Sequence, residues 1–369
     1  MAKDQETEIS QPKKFGTFGG VFTPSVLTIL GVILFLRYDV VVGNAGLWGA
    51  LMILVLAKLF TFITTLSLSS ISTNMQVKGG GSYYLISRSI GVEFGGVIAV
   101  FFYIALALSV AMYVIGFTEA LLLAFPDLGL SFTILATLTN MIVFIFVYIG
   151  AGWTIRVQYF ILALLLLALG SYAVGAWEQA SPELFSKNLQ SDWTSGHSFF
   201  TIFALFFPAV TGIMAGVNMS GDLKNPGRSI PKGTFAAIGF TFLIYGGIAI
   251  LMAASSPRKN LVGDVMVMHE KAWYGPLIYV GVIASTLSSA LGSMMGAPRI
   301  LQAFGRDNVF KRLKYFALGS GRSNEPRRAI VITFVLAQMG VMAGDLDTIA
   351  PIITMFFLLT YGTINLASF

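Results

Sequence analysis

Cysteine is absent from all 369 residues, which excludes disulfides, zinc–thiolate centres and iron–sulfur clusters. Charge is scarce as well: 11% of residues, where a soluble domain carries about a quarter. The two histidines, His197 and His269, fall in polar, loop-like stretches, so surface positions are expected and a histidine metal site is not. The opening MAKDQETEISQPKK is polar and of mixed charge, and reads as neither a signal peptide nor an amphipathic transit segment. What fills the chain instead is hydrocarbon. Hydrophobic residues make up 56% and mean hydropathy is +0.80, the composition of a polytopic membrane protein. The net charge of +6 falls in loops between apolar runs, so nucleic acid is not an expected partner.

Crossing the hydrocarbon takes about 20 apolar residues. Runs of that kind predict helices over 17–42, 46–73, 94–124, 129–150, 154–176, 198–219, 233–254, 274–303, 329–344 and 346–369. The expected domains are a short cytoplasmic tail, 1–16, and a transmembrane transport domain, 17–369. With the N-terminus inside, 17 of the 23 Lys and Arg lie on cytoplasmic segments and five on outer ones, so the positive-inside rule favours that orientation.

The stretch Phe206–Gly233, FFPAVTGIMAGVNMSGDLKNPGRSIPKG, organises the reading. Pro208, Thr211, Gly212 and Gly216 stand together inside an apolar run. Proline removes a helix donor and clashes with the preceding turn, and glycine loosens the backbone, so an interruption is expected. The freed amides and carbonyls must line something polar, because hydrocarbon cannot solvate them. Helix 1 repeats the pattern with Pro24, Thr28 and Gly31. The two helices are an odd number of spans apart and so run in opposite directions. Paired broken helices point to an inverted repeat with a site near the midplane.

Other features carry less. Lys78-Gly-Gly-Gly-Ser-Tyr-Tyr84 lacks the spacing of a phosphate loop and reads as a flexible connector between helices 2 and 3. The basic stretch from Arg306 to Arg328 suits anionic inner-leaflet lipid. Ionisable residues within or near the ends of the spans include Arg37, Lys58 and Glu119. Arg37 and Glu119 lie toward outer helix ends, where they can pair. Lys58 is expected to snorkel or to meet backbone carbonyls, with no assigned role. The midplane site itself is neutral. Freed carbonyls with hydroxyls of Thr28, Thr211, Tyr113, Ser288 and Ser289 suit Na⁺ or K⁺. The amides of Gly31-Val32-Ile33 and Gly212-Ile213-Met214, opening half-helices, suit an anion.

A resemblance runs through the same residues. The words GVILFLR at 31–37, GGGSYYLISRSIGVEFGG at 79–96, AMYVIGFTEA at 111–120, FFPAVTGIMAGVNMSGDLKNPGRSIPKGT at 206–234, STLSSALGSMMGAPRILQAFGRDN at 285–308 and TIAPIITMFFLLTYGTIN at 348–365 span nearly the whole chain. It resembles the cation–chloride cotransporters of the amino acid–polyamine–organocation superfamily. The resemblance implies an all-α fold, the LeuT-like 5+5 inverted repeat with interrupted helices 1 and 6, and two further family helices beyond helix 10 that this chain does not include. It implies potassium binding at Thr28, Ile29, Tyr113, Pro208 and Thr211. Chloride would be held by the amides of Gly31, Val32 and Ile33, and by Gly212, Ile213 and Met214 with the hydroxyl of Tyr361. Sodium would be held by Leu27, Leu30, Ser285, Ser288 and Ser289, and Arg37 with Glu119 would form the outer gate.

Thr28 stands where the family usually has Asn, and Leu30 where sodium-coupled members usually have Trp. The serine pair 288–289 and Tyr113 resemble the Na⁺–K⁺–2Cl⁻ branch, and the lack of long regulatory segments resembles a prokaryotic relative. The implied activity is secondary active symport of Na⁺, K⁺ and Cl⁻ by alternating access in the plasma membrane, with no organic cofactor. The partners are inorganic ions and lipid, with a homodimer open to the full-length protein. Potassium–chloride symport without sodium and an amino-acid permease are the alternatives. A membrane-embedded enzyme would need a nucleophile–base or metal constellation, and no intramembrane His, Cys or carboxylate pair is found in the sequence.

Overall fold

Apolar runs with no water around them must satisfy their backbone internally, and here they do so as helices. The computed structural model describes residues 14–74, 81–89, 91–150, 155–193, 196–218, 220–263, 266–321 and 324–368. Ten long helical segments follow in order: α1 (Phe18–Leu36), α2 (Tyr38–Asn74), α3 (Val92–Ala124), α4 (Phe132–Ile149), α5 (Ile155–Glu178), α6 (Phe199–Asn218), α7 (Pro226–Ser255), α8 (Pro276–Arg306), α9 (Arg327–Ala343) and α10 (Leu346–Ala367). Nine are long and apolar enough to cross a membrane among the described residues; α9, with 17 residues, is shorter. The β-bridges among the described residues are isolated, Phe15 to Leu223 and Ser320 to Glu325.

The spans divide into enclosed and peripheral sets. In the most apolar 18 residues of α1, α3 and α6, 89, 78 and 78% are buried, against 33% in α4 and 39% in α7. Helices apolar on every side belong inside a bundle or against lipid, so exposed Ile134, Phe146, Leu243 and Met355 mark the lipid-facing rim.

Both predicted interruptions are present. In α1 a wide-wound turn at Phe18–Phe22 leads into Thr23–Ile29. The helix then breaks at Leu30 (φ −87°, ψ 41°) and Gly31 (φ −101°, ψ −138°) and restarts at Val32–Leu36. In α6 the α-helix Phe199–Phe206 tightens into a 3₁₀ stretch, Phe207–Ile213, before Met214–Asn218 resumes. Pro208 opens that stretch, as the loss of a donor and the ring clash require.

Within α2 the chain kinks at Gly46, at φ 63° and ψ 174°, where two helical stretches meet. A Cβ there would lie 2.3 Å from the Gln190 carbonyl oxygen. The segment 188–192 crosses the break and seals it: the Leu47 and Trp48 amides donate to the Asn188 and Leu189 carbonyls at 2.8 and 3.2 Å, and the Asp192 amide donates to Asn44 at 2.9 Å.

Some expected boundaries move. The cationic segment around Arg228 and Lys232 is not loop but the start of α7, because Pro226 is preorganised for a first helical turn. The expected connector 78–84 lies partly outside the described residues; from Gly81 it is helix Gly81–Ser89, pinned by Tyr83 and Arg88 to Asp307 at 2.6 and 2.9 Å. His269 sits on a short helix, Val267–Lys271, its ring tilted against Tyr279 with centroids 4.5 Å apart, rather than in a loop. At α10, Asp345 caps the helix by accepting the Thr348 amide at 2.9 Å, which holds its carboxyl below its usual pKa.

Candidate functional site

The two interruptions meet. A Cβ placed on Gly212 would lie 2.9 Å from the Thr28 Cβ and 3.0 Å from the Ile29 amide nitrogen, so glycine at 212 is what lets the broken spans touch. Beside this crossing is a cavity of about 90 Å³. Leu27 and Thr28 from α1, Tyr113 from α3, Thr211, Gly212 and Met214 from α6, and Ser288 from α8 line it. It continues past Asn218, the last residue of α6, to Gln158 near the start of α5 and Arg299 in the last third of α8. Those helix ends lie on the side of the bundle where Phe15 pairs with Leu223. The Gln158 and Asn218 side-chain oxygens are buried there without a donor among the described residues, groups that water or an ion would satisfy.

The carbonyls of the breaks are not all free. The Tyr245 hydroxyl donates to the Ile29 carbonyl at 2.8 Å, and the Tyr361 hydroxyl donates to the Thr211 carbonyl at 2.9 Å. The Thr211 hydroxyl donates to Pro208 at 2.8 Å, and the Thr28 hydroxyl donates to Pro24 at 2.8 Å. Ser289 reaches across from α8 to the Leu27 carbonyl at 3.5 Å. Ser285 donates within its own helix to Val282 at 3.2 Å. Thus Thr28, Tyr113, Thr211 and Gly212 share one cavity with Leu27 and Ser288. Ile29 and Pro208 do not line it, and their carbonyls accept from the Tyr245 and Thr211 hydroxyls. Gly31, Val32 and Ile33 open the second half of α1, and the first amides of a helix have no acceptor within it. Leu30 is buried at the break itself.

The opposite end is closed by charge. Arg37 Nη1 lies 2.9 Å from Glu119 Oε1, Nη2 lies 3.4 Å from Oε2, and Nε lies 2.9 Å from Asp347 Oδ1. Arg37 and Glu119 side chains are 8 and 19% exposed, whereas Asp347 is 56% exposed. The guanidinium fork therefore ties α1, α3 and α10 together, with Glu119 as the screened partner.

Two contributors were not foreseen. Asp347 and Tyr245 carry no local signal, since each acts through a partner more than two hundred residues away. Lys58, expected to snorkel or to meet backbone carbonyls, does neither among the described residues: it is buried, its Nζ lies 2.6 Å from the Thr241 hydroxyl, and it sits over the Tyr245 ring at 5.9 Å.

Two broken, oppositely running spans that cross beside a cavity, inside a helical bundle, define a multi-pass membrane transport protein of the LeuT-like inverted-repeat fold. The chain belongs to the amino acid permease family, whose model matches residues 20–369. It is 37% identical to mouse solute carrier family 12 member 1, over its full length and 39% of that relative. Solute carrier family 12 member 2 from Squalus acanthias is 38% identical over 96% of the chain, and the human member 2 is 37% identical over 96%. These relatives are the cation–chloride cotransporters that the motifs resemble, and the chain spans a little over a third of their length. A solved structure of a Na⁺-coupled sialic acid symporter, substrate-bound and outward-open, shares the fold at 11% identity and a TM-score of 0.59, covering 94% of this chain and 79% of that one.

Proposed function

We propose that the chain is the transport core of a chloride-dependent cation symporter moving Na⁺, K⁺ and Cl⁻ by alternating access across the plasma membrane, its N-terminus cytoplasmic. The observation that carries this reading is the convergence of Thr28, Tyr113, Thr211, Gly212 and Ser288 on one cavity at the crossing of the broken spans. Hydroxyls and break carbonyls there offer oxygen ligands to a weakly hydrated cation. Thr28, Ile29, Tyr113, Pro208 and Thr211 form the potassium site, and Leu27, Leu30, Ser285, Ser288 and Ser289 the sodium site. Amides of Gly31–Ile33 form one chloride site; the second, at Gly212–Met214 beside Tyr361, needs the 3₁₀ winding there to open, since its amides are engaged within the helix. Arg37 and Glu119 are the outer gate. With that end tied by ion pairs and the cavity running toward the other, the arrangement suits an inward-facing state.

The deciding experiment is rubidium uptake into proteoliposomes containing the full-length protein. Replacing chloride with gluconate should abolish it; undiminished uptake defeats the reading. A second reading, amino-acid transport, is favoured by the family model's own description. It predicts accumulation of labelled amino acids without rubidium uptake. Potassium–chloride symport without sodium is favoured by Ser285, whose hydroxyl is engaged within its own helix. It predicts rubidium uptake indifferent to sodium.

A further inference from the structure

Lys58 is a buried amine, a cation when protonated, to which the reading above gives no task. It stands on α2 at 5% exposure, in the half of the bundle that faces the α1 break. The Thr241 hydroxyl donates to the Ala237 carbonyl at 2.7 Å, which leaves its oxygen to accept from the ammonium at 2.6 Å. The other partner is the π face of Tyr245. No carboxylate pairs with Lys58 among the described residues. The packed neighbours supply none: residues 199–218 of α6 contain no ionisable side chain, α7 contributes Tyr245 and, near its start, Arg228 and Lys232, and the α10 carboxylate, Asp347, is held by Arg37. An ammonium buried among neutral groups is costly unless an anion comes near it.

The path from that charge to the site is short. Tyr245 lies under the ammonium, and its hydroxyl donates to the Ile29 carbonyl at 2.8 Å. A cation over the ring polarises the phenol and strengthens that donation. Two effects then act together at the α1 break. A carbonyl that could bind a cation is occupied, and the local field favours an anion over a cation.

We infer that Lys58 is a specificity-determining residue: a resident cation that, acting through Tyr245, weakens binding of a transported monovalent cation beside Ile29 and supplies countercharge to a small bound anion. Lys58 touches neither ion; it is a positioning residue whose effect is carried by charge. The inference rests on the symport reading.

The test uses rubidium uptake by the full-length protein in proteoliposomes, with rubidium and chloride each titrated. Lys58→Met should lower the half-saturating rubidium concentration by about tenfold and raise that for chloride by a similar factor, the scale of one charge acting across a partly screened interior. Lys58→Gln repeats the neutralisation with a polar side chain, should the methionine variant fail to assemble. Lys58→Arg retains the charge and should shift both values far less. A purely structural lysine would lower the maximal rate in all three variants and leave both half-saturation values in place, and that result overturns the inference. A wild-type protein without chloride-dependent rubidium uptake overturns the symport reading, and this inference with it.

Discussion

Gly212 on α6 and Thr28 on α1 are so close that a side chain at 212 would overlap the threonine, its Cβ 2.9 Å from that of Thr28. The two interrupted spans therefore depend on one another for their positions, and a change in either is felt by both.

Gly212→Ala tests that dependence directly. The added methyl would also meet an Ile29 side-chain carbon at 2.8 Å, in a region with little room to yield. Overpacking of this kind costs about 1–3 kcal/mol. The expected outcome is a lower unfolding temperature in detergent together with loss of rubidium uptake. Full stability with full transport would show that the crossing is looser than the geometry indicates.

The Arg37 cluster makes a graded prediction. Breaking a buried ion pair costs about 3–5 kcal/mol, because the remaining charge is stranded, whereas a solvated partner contributes about 0–1 kcal/mol. Glu119 is the enclosed partner and Asp347 the exposed one. Glu119→Gln should therefore destabilise the closed end at Arg37 far more than Asp347→Asn, seen as increased access of an impermeant reagent from that side. Equal effects would contradict the ranking.

Tyr113 lines the cavity from α3, at the level of Thr28 and Thr211. Tyr113→Phe keeps the ring and removes one oxygen. It should raise the half-saturating rubidium concentration several-fold with no change in thermal stability. An unaltered rubidium dependence would reduce the residue to packing.

Ser288 and Ser289 are adjacent, so about 100° of helix separates them. They divide accordingly: Ser288 faces the cavity, and Ser289 donates to the Leu27 carbonyl. Replacing both with alanine should abolish sodium stimulation of rubidium uptake while chloride dependence persists. Sodium-independent uptake by the unmutated protein would leave potassium–chloride symport as the mechanism.

Much of this was legible in the chain. Proline followed by glycine inside an apolar run is a local signal, and it located both interruptions, at Pro24–Gly31 and Pro208–Gly212. Their crossing was legible only as an implication of repeat symmetry. What was hidden is what satisfies the freed carbonyls. Tyr245 serves Ile29 from 216 positions away and Tyr361 serves Thr211 from 150, and nothing near either tyrosine announces the partner. Lys58 was visible as a charge in an apolar helix, but its neighbours come from a span that periodicity cannot dock. The start of α7 was missed because a cationic, proline-rich segment imitates a loop.

The tight winding within α6 has a mechanical consequence. Phe207–Ile213 is a seven-residue 3₁₀ run, longer than the three or four residues usually tolerated. Per residue such a helix advances about 2.0 Å and turns about 120°, against about 1.5 Å and 100° in an α-helix. Relaxing the whole run would shorten it by about 3.5 Å and rotate everything beyond it by about 140°. The segment is in effect a wound screw thread between two rigid rods. A single change of pitch would retract Met214–Asn218 along the axis and turn the cavity-lining faces of Thr211 and Gly212 away from α1, with no bending of the rods themselves.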